Sequence, residues 1–335
     1  MSLTATDRDH IDRDDSGQAP AGGRHGVAEV PPERPGRRRT WDRFTPYILS
    51  VPMVVMILGL LGYPLYRMAV VSLQKYEQGQ LWGTRPLEWV GLDNYTKLLG
   101  DSVFWDVVRR TAIFTVTSVG ISVLLGLGIA LLMRRVSPWV RTAMTFAMMT
   151  VWAMPQLVSS QVFVWMVDAD FGVVNWLIDQ IPGVDFAKHS WFANSTQGWV
   201  VINTLVIWQG LPFLAITLYA GLAQVPRELG EAATVDGAGA WDVFRAVSLP
   251  ILRPLLGIVT TLSIIWNFQV FTQVWVVRYS KPEIDYQTLS TYAYSQAFQN
   301  GKYGFGSAVS IITVLLMLGV MAFYIRQMFK IGDAD

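Results

Sequence analysis

Residues 254–277 read PLLGIVTTLSIIWNFQVFTQVWVV, twenty-four consecutive positions without Asp, Glu, Lys or Arg. As an α-helix this run would rise about 36 Å, more than the ~30 Å hydrocarbon core of a bilayer. It does not alternate apolar and polar residues, as a strand of a membrane barrel must. Five further windows lack all four charged types: Phe44–Tyr66, Thr111–Met133, Thr142–Val167, His189–Pro226 and Tyr303–Ile325. The fourth opens on the polar stretch HSWFANSTQG (189–198), which moves its helix to about 199–223. The sequence therefore predicts an all-α polytopic membrane protein, residues 44–328, with six transmembrane helices near 46–71, 111–133, 142–167, 199–223, 254–277 and 305–326.

Composition supports this reading. Only 15% of the 335 residues are charged and 52% are apolar, against about 25% charged in an ordinary soluble domain. The chain has no cysteine, which excludes disulfide scaffolds, thiolate metal sites and thiol catalysis. A net charge of +1 offers no basic field for nucleic acid. Residues 1–43 are rich in Asp, Arg, Gly and Pro and read as a disordered tail, too poor in large apolar residues to offset its ordering entropy. Arg37–Arg39 and Arg43, then Arg134, Arg135 and Arg141, then Arg326 and Lys330 fall on one side of a six-span chain. The positive-inside rule makes that side cytoplasmic and places both termini there, including 329–335.

Motifs for chemistry are weak. Asp12-Arg-Asp14-Asp-Ser16-Gly17 starts like a calcium loop, but Gly23 stands where the closing acid belongs. His10, His25 and His189 are far apart, and Gly301-Lys302 lacks the remaining residues of a phosphate loop. No acidic residue lies inside a window to relay protons. The expectation is transport without catalysis, metal or cofactor. Uncharged amides and tryptophans inside the spans, Gln161, Gln209, Trp266, Gln269 and Gln273, are the candidate substrate path, since aromatic faces and amide edges suit a polyhydroxylated ligand. On a continuous helix Gln269 and Gln273 share a face while Asn267 points about 160° from Gln269, which makes Asn267 an interhelical hydrogen-bond partner.

Between the fourth and fifth spans, residues 224–253 form a cytoplasmic loop containing PRELGEAATVDGAGAWDVFRAVSLP (226–250). Pro226 suits the start of a short helix, Arg227–Val235, and Asp236-Gly237 forms a turn in which Gly237 can take positive φ. A second short helix, Trp241–Val247, precedes Leu249-Pro250, and Pro254 opens the fifth span. Physical reasoning leaves two roles: docking helix for a partner, or intramolecular cover.

The pattern Glu231-Ala232-Ala233, three residues, Gly237, nine residues, Val247-x-Leu249-Pro250 resembles the EAA loop of binding-protein-dependent ABC importer permeases. With GLDNYTKLL at 91–99 and the six spans, the chain resembles carbohydrate-uptake permeases of the maltose-transporter MalF type. YIRQMFKIGD near the C-terminus and NFQVFTQVW in the fifth span are similar to actinobacterial permeases for di- and oligosaccharides, including N-acetylchitobiose types. Arg110-Thr111 departs from the family's usual Asn-Thr. The resemblance implies a type I importer (MetI-like) permease fold. It also implies a bacterial plasma-membrane location, a second homologous permease as heterodimer partner, two ATP-binding subunits and an extracytoplasmic solute-binding protein. Glu231, Ala232, Ala233, Gly237, Leu249 and Pro250 would then couple ATP hydrolysis on other chains to sugar movement. The rival is an ATPase-independent secondary transporter or channel for a small polar solute.

Overall fold

The computed structural model describes residues 40–332. The tail expected to be disordered lies outside the described residues up to position 39, and Thr40–Arg43 already belong to a helix. The chain divides into a first unit ending at Leu58 and a second beginning at Gly59. In the first, α1 (Thr40–Ile57) carries Pro46 and Pro52.

A π-helical turn (Leu58–Gly62) starts on the last residue of the first unit, and α2 (Tyr63–Ser72) follows in the second. A minimal ladder follows, β1 (Gln74–Lys75) pairing antiparallel with β2 (Glu88–Trp89) around α3 (Gln78–Leu81). In α4 (Asp93–Leu99), buried Asn94 donates to Ser72 O at 2.8 Å and Gln74 O at 3.0 Å, which fastens the family-like GLDNYTKLL segment to the ladder. The helix α5 (Ser102–Arg135) starts nine residues before the window that predicted it. Asp101 caps it by accepting from the Val103 N–H at 2.9 Å.

The third predicted span is two helices, α6 (Pro138–Ala153) and α7 (Gln156–Met166). Five helical stretches among the described residues are long and apolar enough to cross a membrane unaided, and the divided 142–167 region is the one that is not. After α8 (Val173–Asp179), α9 (Ser195–Ala223) packs along α5. Asn203 Oδ1 accepts from Ser118 Oγ at 2.6 Å and Thr117 Oγ1 at 3.2 Å, so this amide joins two helices. The two helices also approach closely at Gly126, where an added Cβ would lie 2.8 Å from Leu214 Cβ.

Next come α10 (Arg227–Val235), α11 (Ala240–Val243), a π-helical turn (Phe244–Ser248) and α12 (Leu249–Phe268). The expected separation of the second loop helix from the fifth span is absent: helical structure runs from Ala240 to Phe268, with Pro250 near the start of α12 and Pro254 inside it. Pro250 follows directly on the π-helical turn Phe244–Ser248, a local widening that accommodates the proline ring and the carbonyl it leaves unpaired, so Leu249-Pro250 does not end the run. The chain closes with α13 (Thr272–Val277), α14 (Leu289–Tyr294), a π-helical turn (Ser295–Gln299) and α15 (Tyr303–Gly332). Residues 329–332, expected to lie beyond the last span, still belong to α15.

Candidate functional site

The fifth span is interrupted where its sequence has neither proline nor glycine. α12 ends at Phe268, Gln269 sits at φ −100° and ψ 15°, and the helix resumes at Thr272. The Thr288 hydroxyl donates to the Val270 carbonyl in this gap at 3.0 Å. In the third span Met154 and Pro155 are extended, with ψ of 131° and 133°. Proline pushes its predecessor out of the α region, so this break has a local cause.

Both breaks and the middle of α9 border one cavity of about 400 Å³. That volume lies within the ~300–1,000 Å³ usual for small-molecule sites. Its wall presents the amides of Gln156, Gln209, Asn267, Gln269 and Gln273 beside the indoles of Trp152 and Trp266, and none of its lining residues is charged. Trp266 packs edge-on against Phe213 with ring centres 5.0 Å apart.

The geometry corrects the face assignment for Asn267. Because the helix unwinds between Asn267 and Gln273, the 100° step no longer applies across the gap, and all three amides reach the same cavity. Asn267 Nδ2 donates within its own helix, to Ser263 O at 2.8 Å, and joins no second helix. Its Oδ1 is buried without a partner among the described residues. Gln273 Nε2 donates to Gln209 Oε1 at 2.8 Å; Gln209 Nε2 donates in turn to Ser159 Oγ; the Ser159 hydroxyl reaches Pro155 O at 3.1 Å. The chain of amides thus links one break to the other. Of the candidate path residues, Gln209, Trp266, Gln269 and Gln273 are brought together. Gln161 is half-buried on α7 and does not line the cavity. Gln156 does, and its position directly after Pro155 was the signal for it.

On the loop, α10 begins directly after Pro226 and ends in a Schellman motif. The Gly237 N–H donates to Thr234 O at 3.0 Å and the Ala238 N–H to Ala233 O at 2.9 Å. Gly237 has φ +88°, the left-handed conformation that glycine adopts without a Cβ penalty. Glu231 and Ala232 are exposed, Ala233 is half-buried, and Val235 is 87% exposed. Leu249 and Pro250 are half-buried at the start of α12.

Sequence reasoning gave Arg110 no role. Its guanidinium donates to Ile284 O at 2.7 Å and Gln287 O at 3.1 Å and lies 3.8 Å from Asp285. Thr111 Oγ1 accepts from the Leu289 N–H at 3.0 Å. Together they fix the segment entering α14. Nearby, Arg278 pairs with Glu283 at 2.6 Å and lies over the Tyr286 ring at 4.3 Å. The Arg278 hydrogen bond holds the Glu283 carboxyl below its ordinary value.

Residues 122–329 match the family described as binding-protein-dependent transport system inner membrane components. The chain belongs to this family. Among its members, the diacetylchitobiose uptake system permease protein DasB of Streptomyces coelicolor is 37% identical over 285 residues, 85% of this chain and 87% of DasB. The trehalose/maltose transport system permease protein MalF of Thermococcus litoralis is 28% identical, covering 84% of this chain and 92% of MalF. A crystal structure of a bacterial alginate ABC transporter, in complex with alginate pentasaccharide-bound periplasmic protein, contains a chain that superposes with TM-score 0.72 at 19% identity. The match covers 85% of this chain and 96% of that one and shows the shared, mostly helical MetI-like permease fold. As an inner membrane component of such a transport system, the chain is a multi-pass membrane protein and a transport component.

Proposed function

We propose that this permease forms half of the translocation pathway of an ATP-driven importer for a neutral di- or oligosaccharide. The single observation that carries the substrate class is the uncharged cavity, with five amides and two indoles on its wall. Sugars present C–H faces to aromatic rings and hydroxyl edges to amides, and the cavity wall carries both. The sugar-transport names of DasB and MalF support the same class.

In this reading the chain hydrolyses no ATP. It pairs with a second, homologous permease in a complex with two ATP-binding subunits, docks one of them through α10, and receives substrate from an extracytoplasmic binding protein. The termini and residues 224–253 lie on the cytoplasmic side of a bacterial plasma membrane, so the Tyr303 end of α15 is extracytoplasmic. Closure of the ATP-binding subunits moves Glu231, Ala232 and Ala233, and α12 carries that motion to the cavity.

The test is reconstitution of the complete complex in proteoliposomes with radiolabelled diacetylchitobiose and maltose. ATP- and binding-protein-dependent uptake of either sugar is expected. Uptake that proceeds without ATP would favour an ATPase-independent carrier and overturn the reading.

A further inference from the structure

A second cavity, of about 560 Å³, adjoins the first and shares Gln269 and Phe271 with it. It follows one face of α15, on which Tyr303, Ser307, Ser310 and Met317 succeed one another at helical spacing. From Tyr303 to Met317 this face is about 21 Å long. At its deep end Gln269 Nε2 lies 2.8 Å from Met317 Sδ, where the first cavity begins.

A run of aromatic rings leads from the opposite wall to Tyr303 on α15. Ring centres are separated by 5.3 Å between Phe271 and Tyr294, 4.9 Å between Tyr294 and Phe298, and 5.9 Å between Phe298 and Tyr303. Trp275 stacks on Phe271 at 5.3 Å and 15°. Two of these rings lie outside the core. Phe298 is 61% exposed and Tyr294 38%, although Leu289 and Tyr292 on the same helix are buried. The π-helical turn at Ser295–Gln299 accounts for this, because its extra residue per turn resets the face on which Phe298 emerges. The hydroxyls of Ser290, Ser307 and Ser310 line the same space. Ring faces set beside hydroxyl edges repeat the chemistry of the first cavity, and the two spaces are contiguous.

We infer that this face is a second carbohydrate subsite, which takes a further sugar ring of the same substrate molecule. It rests on the saccharide reading above. Under that reading the subsite leads from the extracytoplasmic end of α15 to Gln269, so that a saccharide of three or more units is held across both cavities while a disaccharide needs only the first.

The test uses cells expressing the complete importer with its binding protein. They are given radiolabelled diacetylchitobiose, triacetylchitotriose, maltose and maltotriose separately, with uptake normalised to assembled complex. Phe298→Leu and Tyr294→Leu keep apolar bulk but remove the ring faces. Each should lower trisaccharide uptake at least fivefold and leave the disaccharide within twofold, and Phe298→Tyr should retain both. If Tyr294→Leu fails to assemble, the more exposed Phe298 carries the test. An equal fall for both lengths, or no change for either, would overturn the subsite, since a lipid chain or partner helix in this space would not distinguish sugar lengths. A wild type that excludes trisaccharides would overturn it alone. A wild type that imports none of the four sugars would overturn the saccharide reading as well.

Discussion

Gln273 donates to the Gln209 side-chain oxygen at 2.8 Å across 64 positions of sequence. Because Gln209 also donates to Ser159, this one contact ties the interrupted fifth span to the interrupted third. Neighbours in one hydrogen-bonded network couple by ~0.5–3 kcal/mol. In a cycle of Gln273→Ala, Ser159→Ala and the double variant, losses of sugar uptake should therefore be clearly non-additive, with complex abundance unchanged. Additive losses would mean that the amides act separately.

Asn267 should behave as a cavity residue. Asn267→Ala is expected to lower uptake about as much as Gln273→Ala without reducing assembly, whereas Gln161→Ala, away from the cavity, should leave uptake near wild type. Loss of assembled complex in Asn267→Ala, seen by size-exclusion chromatography, would return the residue to a helix-packing role.

The coupling loop gives a backbone test and a charge test. Gly237→Ala places a Cβ at φ +88°, at a cost of about 1–2 kcal/mol. It should weaken co-purification of the ATP-binding subunits, as should Glu231→Lys, which inverts an exposed charge on α10. Normal co-purification with normal uptake in both variants would remove α10 from the docking surface.

Arg110→Met deletes two hydrogen bonds to carbonyls and an ion pair. Hydrogen bonds of a charged donor are worth roughly 1.5–3 kcal/mol each, so the melting temperature of the purified complex should fall measurably. Arg109, whose side chain is 74% exposed and pairs with Asp106 one turn away, supplies the control. Arg109→Met should stay within about 0.5 kcal/mol of wild type.

Two groups outside the spans set opposite pH limits. Burial, reinforced by the Asp101 carboxylate, pushes the Tyr292 phenol from 10.0 up to about 12. The fold favours the neutral phenol, so its contribution is complete below pH 10 and is lost as pH rises towards about 12. Glu283 is shifted the other way. Its contribution is present above its ordinary value of 4.5 and is lost as pH falls through its lowered folded value. Melting temperatures measured across pH should show an alkaline decline that Tyr292→Phe reduces and an acid decline that Glu283→Gln reduces. Unchanged profiles in both variants would show that neither group senses pH through folding.

The helical class was legible because charge-free runs of membrane length admit few alternatives, and the α10 turn because Asp236-Gly237 specifies a left-handed residue. The division of the third span was written in Pro155. The break after Phe268 was not, since NFQVFT contains no residue that disfavours a helix strongly. What holds it open includes the hydroxyl of Thr288, eighteen positions after Val270, a tertiary contact outside the reach of any local pattern. That one unread feature reversed the expected place of Asn267. Arg110 was likewise opaque, because its acceptors lie 174 and 177 positions away.

The uninterrupted helix from Ala240 to Phe268 is mechanically a strut of about 43 Å, while the three residues that follow form a pin joint. A strut transmits thrust along its axis, and a pin joint cannot pass on bending. Displacement applied beside α10 would therefore arrive at Gln269 nearly undiminished and be spent there as rotation, with α13 left standing against α7. The drive and the load would meet at the cavity wall itself, leaving the opposite end of the span free to keep its grip while the near end lets go.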